Sequence, residues 1–415
     1  MNNKSNFGKF ILLWAGELIS SIGGGLTSFG LGVYIFRETG SAASMAIVTL
    51  LGFLPTLVLS VPAGVLADRY DRRLLMMIGD GCSAVGVIYI LVCMIMGEAS
   101  LGQICAGVFI SAVFSALLEP AFRSTITDLL TEDEYSKASG LVSLAGSARY
   151  LFSPVIAGFL LAVSDVKLLL VIDICTFIIT VTAAAVVRKG LETKITENRE
   201  SFAQSIKGGW QALTEKRGVI VLVAISSAIT MFMGVLQILV EPLVLSFADA
   251  KTLGIAETVC ACGMLASGLY LGVRGIKNHF VTVLGMALML AGLFISGFGL
   301  VENIYVICIF GFLFFTALPF ANNCLDYLVR TNIADEVQGR AWGMIGFISQ
   351  MGYVVAYAVS GVAADTLGSV TGAGVGRGSA YVIIIAGICL AITSVSILFT
   401  GSIRKLENVP GEEGI

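Results

Sequence analysis

At 415 residues, with 57% hydrophobic and 13% charged side chains and a mean hydropathy of +0.93, the chain is too apolar for a water-soluble domain, which carries about 25% charged residues. The formal net charge of -3 is unremarkable, and no basic tract suggests a nucleic-acid partner. No G-x-x-x-x-G-K-[ST] loop occurs and no soluble domain could hold one, so ATP hydrolysis by this chain is not expected.

The first ten residues, MNNKSNFGKF, are mildly basic. The apolar run after them continues too long, without an A-x-A-like site, for a signal peptide, and reads as the first span. Crossing a bilayer takes about 20 apolar residues. Such runs lie near 10–36, 43–67, 75–97, 101–127, 137–163, 166–188, 219–247, 253–273, 280–301, 304–330, 339–365 and 379–402, which makes twelve helices. The break at 189–218 is the only one with dense charge, and it divides the chain into six-helix sets at 1–188 and 219–403, with a cytoplasmic tail at 404–415 that is unstructured from Glu407. Within the break, Phe202, Ile206, Trp210 and Leu213 recur at helical spacing opposite Gln204, Lys207 and Gln211. That spacing predicts a short amphipathic helix on the inner membrane surface.

The basic residues fix an orientation. With the N-terminus inside, 20 of the 25 Lys and Arg are cytoplasmic, four (Arg37, Lys167, Lys251, Arg377) are outside, and Arg149 is left within a span. Alternation over every loop follows the positive-inside rule and puts both termini in the cytoplasm. An internal repeat supports the two sets: TITDLLTEDEYSKASGLVSLAGSARY has a counterpart in YLVRTNIADEVQGRAWGMIGFISQMGY, about 202 residues later. Two similar halves are what an alternating-access carrier requires.

Ionisable groups inside spans are costly and mark candidate substrate or proton paths. Glu17 faces the glycine-rich stretch Gly23 to Gly25 in span 1 and is a candidate proton or substrate site, or else a structural carboxylate. Arg149 in span 5 needs a counter-ion, for which Glu119, beside Pro120, or Glu17 is expected, either exchanging on protonation or as a fixed bridge. Asp173 in span 6 is the next candidate, and Glu241 beside Pro242 and Asp326 after Asn322 and Asn323 are gate, interfacial or cavity residues. The nine cysteines, none in a C-x-x-C, read as reduced small hydrophobes, and the single histidine, His279, beside a loop, leaves no metal site to build. No metal or cofactor is expected.

Between spans 2 and 3 the sequence reads Pro62-Ala63-Gly64-Val65-Leu66-Ala67-Asp68-Arg69-Tyr70-Asp71-Arg72-Arg73. This resembles the G-x-L-A-D-R-x-G-R-R signature of the major facilitator superfamily at that loop. The stretches LWAGELISSIGGGLTSFGLGVYIFRETGSAAS, LEPAFRSTITDLLTEDEYSKASGL and IADEVQGRAWG look like its macrolide-efflux-like group, so the resemblance covers nearly the whole chain. The fold it implies is all-α, with twelve transmembrane helices in two pseudo-symmetric six-helix bundles. In the loop, Asp68 can face the N-terminus of span 11 near Gly339 and Arg340, where a carboxylate gains from the helix dipole and an ion pair. That latch favours the outward-facing state, with Arg69, Arg72 and Arg73 holding topology and tuning it, and Gly64 letting helices approach closely. Asp71 replaces the signature's glycine, and the second-half copy, GVRGIKNHF, lacks the aspartate. Of the exporters' G-x-x-x-G-P-x-x-G-G pattern, only Tyr150-Leu151-Phe152-Ser153-Pro154-Val155-Ile156-Ala157-Gly158 survives.

The resemblance implies a monomeric, proton-coupled exporter of amphipathic small molecules such as macrolides, in the cell membrane. The rivals are a carrier of a defined metabolite, siderophore or lipid and, more remotely, a non-transporting sensor or membrane-embedded enzyme. An enzyme is not expected, because no catalytic constellation is visible.

Overall fold

The computed structural model of the chain describes residues 6–189, 210–211, 213–214, 217–333, 338–399 and 401–407. The described regular structure is helical: α1 (Phe7–Thr39), α2 (Ala42–Arg69), α3 (Arg72–Met96), α4 (Leu101–Ser115), α5 (Leu118–Leu129), α6 (Tyr135–Val163), α7 (Val166–Arg188), α8 (Arg217–Leu245), α9 (Ala250–Arg274), α10 (Phe280–Phe298), α11 (Ile304–Arg330), α12 (Gln338–Thr371), α13 (Gly374–Phe399) and the short α14 (Gly401–Glu407), with a single 3-10 turn at Glu132–Glu134. Among the described residues, twelve stretches are long and apolar enough to cross a membrane, α4 and α5 together forming one. In lipid this follows from backbone chemistry, since only a helix satisfies its own N–H and C=O groups.

The fourth span departs from the single helix expected at 101–127. Its hydrogen-bond ladder breaks at Ala116 and Leu117, and α5 restarts at Leu118. Pro120 has no N–H to donate to the carbonyl of residue 116, so one rung is missing at that point. The linker helix expected around Phe202 and Ile206 lies mostly outside the described residues. Of its four apolar positions Trp210 and Leu213 are described, the first exposed and the second buried. The tail begins as α14, where the Leu406 carbonyl accepts from Asn332 Nδ2 at 3.0 Å, so residues through Glu407 are folded rather than unstructured.

The described residues cluster into two compact units: those within 1–40, 44–198 and 249–258 form the first, and those within 41–43, 199–248 and 259–415 the second. In the first unit α1 lies against both α6 and α7. Three glycines seven residues apart, Gly16, Gly23 and Gly30, present a flat strip to α7. A methyl at Gly16 would lie 3.4 Å from Thr180 Cγ2, one at Gly23 2.8 Å from Asp173 Oδ1, and one at Gly30 3.1 Å from Val166 Cγ2. Small residues of this kind let membrane helices pack backbone to backbone. On its other flank α1 holds α6 by Trp14 Nε1 donating to the Leu141 carbonyl at 2.6 Å and Ser153 Oγ donating to the Ile22 carbonyl at 3.0 Å.

Two apolar clusters bracket this unit along the helix axes. One joins Phe10, Leu13, Leu75, Met76, Ala184 and Val187 with the buried residues of α5. The other joins Leu31, Ile35, Val87, Ile90, Met94, Val166 and Leu170. On α1 and α3 the stretch between the clusters carries the polar groups, Glu17 to Thr27 and Asp80 to Ser83, so the sequence builds a polar layer between two apolar ones. In the second unit, α8 and α12 are joined by Thr230 Oγ1 donating to the Ser349 carbonyl, Ser349 Oγ donating to Ser226 Oγ at 2.8 Å and Tyr357 Oη donating to Gln237 Oε1 at 2.6 Å. Gly292 of α10 fits against α13, where a methyl would lie 2.6 Å from the Gly387 carbonyl.

Candidate functional site

The polar layer of the first unit is organised around Asp173, which is 1% exposed. On α7, Asp173, Thr176 and Thr180 fall at i, i+3 and i+7 and so share one face, turned toward α1. Thr27 Oγ1 of α1 donates to Asp173 Oδ2 at 2.6 Å, and Thr176 Oγ1 donates both to the Asp173 carbonyl at 2.7 Å and to Oδ1 at 3.4 Å. The glycine strip makes this contact feasible, because any side chain at Gly23 would collide with Thr176 Oγ1 and the Asp173 carboxylate. Arg149, on α6, packs its Cγ where a methyl at Gly25 would come within 3.1 Å, and its charge acts on Asp173.

Glu17, Arg149 and Asp173 all lie in the first unit. Of the two counter-ions expected for Arg149, Glu119 is engaged by another arginine. Glu119 Oε1 accepts instead from Arg123 Nε and Nη2, both at 2.9 Å, one turn along α5, and is 74% exposed. The break before Leu118 sets Glu119 in the first turn of α5, where its i+4 neighbour is the nearest base. Glu17 lies within the field of Glu119 and is partly buried.

Two carboxylates that sequence reasoning passed over belong with these. Asp80 of α3 is 2% exposed, its field neighbours are Glu17 and Asp173, and the Thr180 side chain stands against it. Glu257 of α9, within the first unit, is half-buried one residue before Thr258, whose hydroxyl donates to the Leu151 carbonyl at 3.0 Å. Both sit inside apolar runs, so the rule that singled out Glu17 would have found them. In the second unit Glu241 is half-buried beside Pro242 of α8, and Asp326 of α11 is exposed with Arg330 one turn on. Among the described residues no group of three His, Cys, Asp or Glu side chains could hold a metal ion.

A family is recognisable from most of the chain. The sequence profile described as Major Facilitator Superfamily matches residues 13–357. This chain belongs to the major facilitator superfamily. Among relatives of this superfamily, Macrolide efflux protein A of Streptococcus pyogenes is 25% identical over 370 residues, covering 87% of this chain and 90% of its own. Multidrug efflux pump Tap of Mycolicibacterium fortuitum is 23% identical over 386 residues, covering 87% and 90% respectively. A bacterial homolog of the human lysosomal transporter Spinster, solved inward-facing and unoccupied, shares the fold with a TM-score of 0.76 at 11% identity, over 99% of this chain and all of that one.

The superfamily's loop signature sits where α2 gives way to α3. Asp68 and Arg340 fall in the last turn of α2 and the first of α12, and their side chains lie outside those described. A methyl at Gly64 would meet nothing within 4 Å among the described residues. Arg69 is exposed at the end of α2. Arg72 and Arg73 turn into their own unit, Arg72 Nη1 reaching Asp128 Oδ1 at 2.8 Å and Arg73 Nη2 reaching Oδ2 at 3.2 Å. Arg72 also donates to the carbonyls of Ala67 and Ser124. Asp71, in place of the signature glycine, caps α3 by accepting from Arg73 N at 3.0 Å and accepts from Arg188 Nε at 2.8 Å, tying α3 to the end of α7. Asp128 went unnoticed in the sequence because it falls just past the predicted end of its span.

Proposed function

We propose that this chain is a proton-coupled exporter of amphipathic small molecules, macrolides or similar compounds. It works by alternating access as a monomer in the cell membrane, with both termini cytoplasmic. The observation that carries the reading is the buried carboxylate of Asp173, gripped by Thr27 and Thr176 and opposed by Arg149, with Glu17 in the same unit. A carboxylate at that depth is costly while charged and unopposed. A guanidinium cannot release its proton, so Arg149 remains positive in every state. Neutralising Asp173 with a proton therefore leaves Arg149 to find another acceptor, and Glu17 supplies one. Charge then shifts between α7 and α1 across the glycine strip, the place where the two helices are closest packed. Relatives named as macrolide and multidrug efflux proteins support the substrate class, and the loop aspartate Asp68 is the proposed latch.

The test is accumulation of a labelled macrolide and a panel of cationic dyes in drug-sensitive cells expressing wild type, Glu17→Gln, Asp173→Asn and Asp68→Asn, with and without an uncoupler. Support is lowered accumulation by wild type, abolished by the uncoupler and lost in the variants at normal membrane levels. If no compound moves, the export of amphipathic molecules is wrong.

A further inference from the structure

We infer that Asp80 is a second proton-binding carboxylate of the first unit, held between the two apolar clusters and set against Glu17 and Asp173. Its Oδ1 is buried with no hydrogen-bond partner, the Thr180 side chain being the one hydrogen-bonding group against the carboxyl among the described residues, whereas Asp173 accepts from two hydroxyls. A carboxylate oxygen hidden from water and unpaired is not stable as an anion; it takes up a proton or a cation. The surroundings select the proton. The charged groups facing Asp80 are both acidic, Glu17 from α1 and Asp173 from α7. No charged residue occurs in α4, and on α5 Glu119 engages Arg123 while Asp128 engages Arg72 and Arg73. Arg149 acts on Asp173. These carboxylates are not arranged to ligate a metal ion.

The geometry also gives the proton a neighbourhood to answer to. The Thr180 side chain stands against Asp80, and its hydroxyl donates to the carbonyls of Thr176 and Phe177, on the same stripe as Asp173. Thr180 Cγ2 lies against Gly16, one residue before Glu17. A charge appearing on Glu17 or Asp173 makes a second negative charge on Asp80 harder to form, so the proton on Asp80 is held more firmly when theirs are lost. The proton binds to Oδ1, giving a neutral carboxyl, and leaves from the same atom. This assignment deepens the proton-coupled reading and rests on it for its purpose, but not for its detection.

The experiment is infrared difference spectroscopy of the full chain in lipid vesicles without substrate, stepped between about pH 5 and about pH 9, comparing wild type, Asp80→Asn and Asp80→Glu. Asp80→Asn is expected to lose one titrating carboxyl C=O band and one proton of uptake per chain, and Asp80→Glu to move that band while keeping its pH dependence. If Asp80→Asn folds poorly, the displaced band of Asp80→Glu decides. Identical titrating bands in all three proteins would overturn the assignment, as would a band that ignores pH. Suppression of the band by Na+ at constant pH would overturn it in favour of a metal cation. A chain that exports no drug yet loses the band in Asp80→Asn supports the assignment and counts only against the substrate reading.

Discussion

Asp128→Ala removes the shared acceptor of two arginines whose fates then differ. Arg73 is 2% exposed, its Nε has no partner, and Asp128 supplies its ion pair. Arg72 keeps the carbonyls of Ala67 and Ser124. Breaking a buried pair from one side costs about 3–5 kcal/mol, because the other charge stays buried. Asp128 is 16% exposed, so water softens the loss and the lower figure, about 3 kcal/mol, applies. At about 2–4 °C per kcal/mol for a unit of this size, the melting temperature should fall by about 6–12 °C. The asymmetry is the sharper test. In the Asp128→Ala background, Arg73→Met should recover stability by removing the stranded charge, while Arg72→Met should not. Thermal denaturation of the purified protein in detergent, followed by loss of helical circular dichroism, reads both. A single variant within about 2 °C of wild type, or a double variant with Arg73→Met less stable than Asp128→Ala alone, would refute the reasoning.

Three further outcomes are expected. Gly23→Val forces a side chain into the Thr176 and Asp173 groups and should cost about 1–3 kcal/mol, whereas Gly24→Ala, where a methyl meets nothing within 4 Å, should be neutral or stabilise by up to about 1 kcal/mol; paired melting curves separate them. Glu119→Gln loses an exposed pair four residues apart and should change stability by less than about 0.5 kcal/mol in the same assay. Asp249 caps α9, and its carboxyl is held below the usual carboxylate value, chiefly by the Thr252 side chain and then by the Thr252 N–H. A carboxyl lowered by folding adds stability above its unfolded value of about 3.9 and loses it as pH falls through the lower folded value. The melting-temperature gap between wild type and Asp249→Asn should therefore be present at about pH 6 and close toward about pH 2; a gap that widens on acidification would show the sign to be wrong.

The span count was legible because a bilayer imposes one length on every crossing segment, and each apolar run became a crossing segment, the fourth of them as two helices. Asp173 was legible for the same reason, as a charge inside such a run. What periodicity does not carry is rotation: which helix faces Arg149 depends on how α6 and α7 turn around α1, and the glycine strip at Gly16, Gly23 and Gly30 settles that by admitting α7. Glu119 and Arg123, four apart, could have been read as a local pair, and Pro120 as the break that isolates them. Asp80, flanked by Gly79 and Gly81, carried the signal and was passed over. Arg72 and Arg73 looked like loop anchors because Asp128 lies more than fifty residues away in sequence and beside them only in the fold.

The most direct test of proton-coupled export uses purified chain in sealed vesicles with a labelled macrolide and an imposed pH gradient. The account predicts uphill movement of the drug, collapsed by an uncoupler, with protons moving oppositely, and loss of both fluxes in Asp173→Asn. Drug movement that ignores the gradient, or proton-driven movement intact in Asp173→Asn, would contradict it.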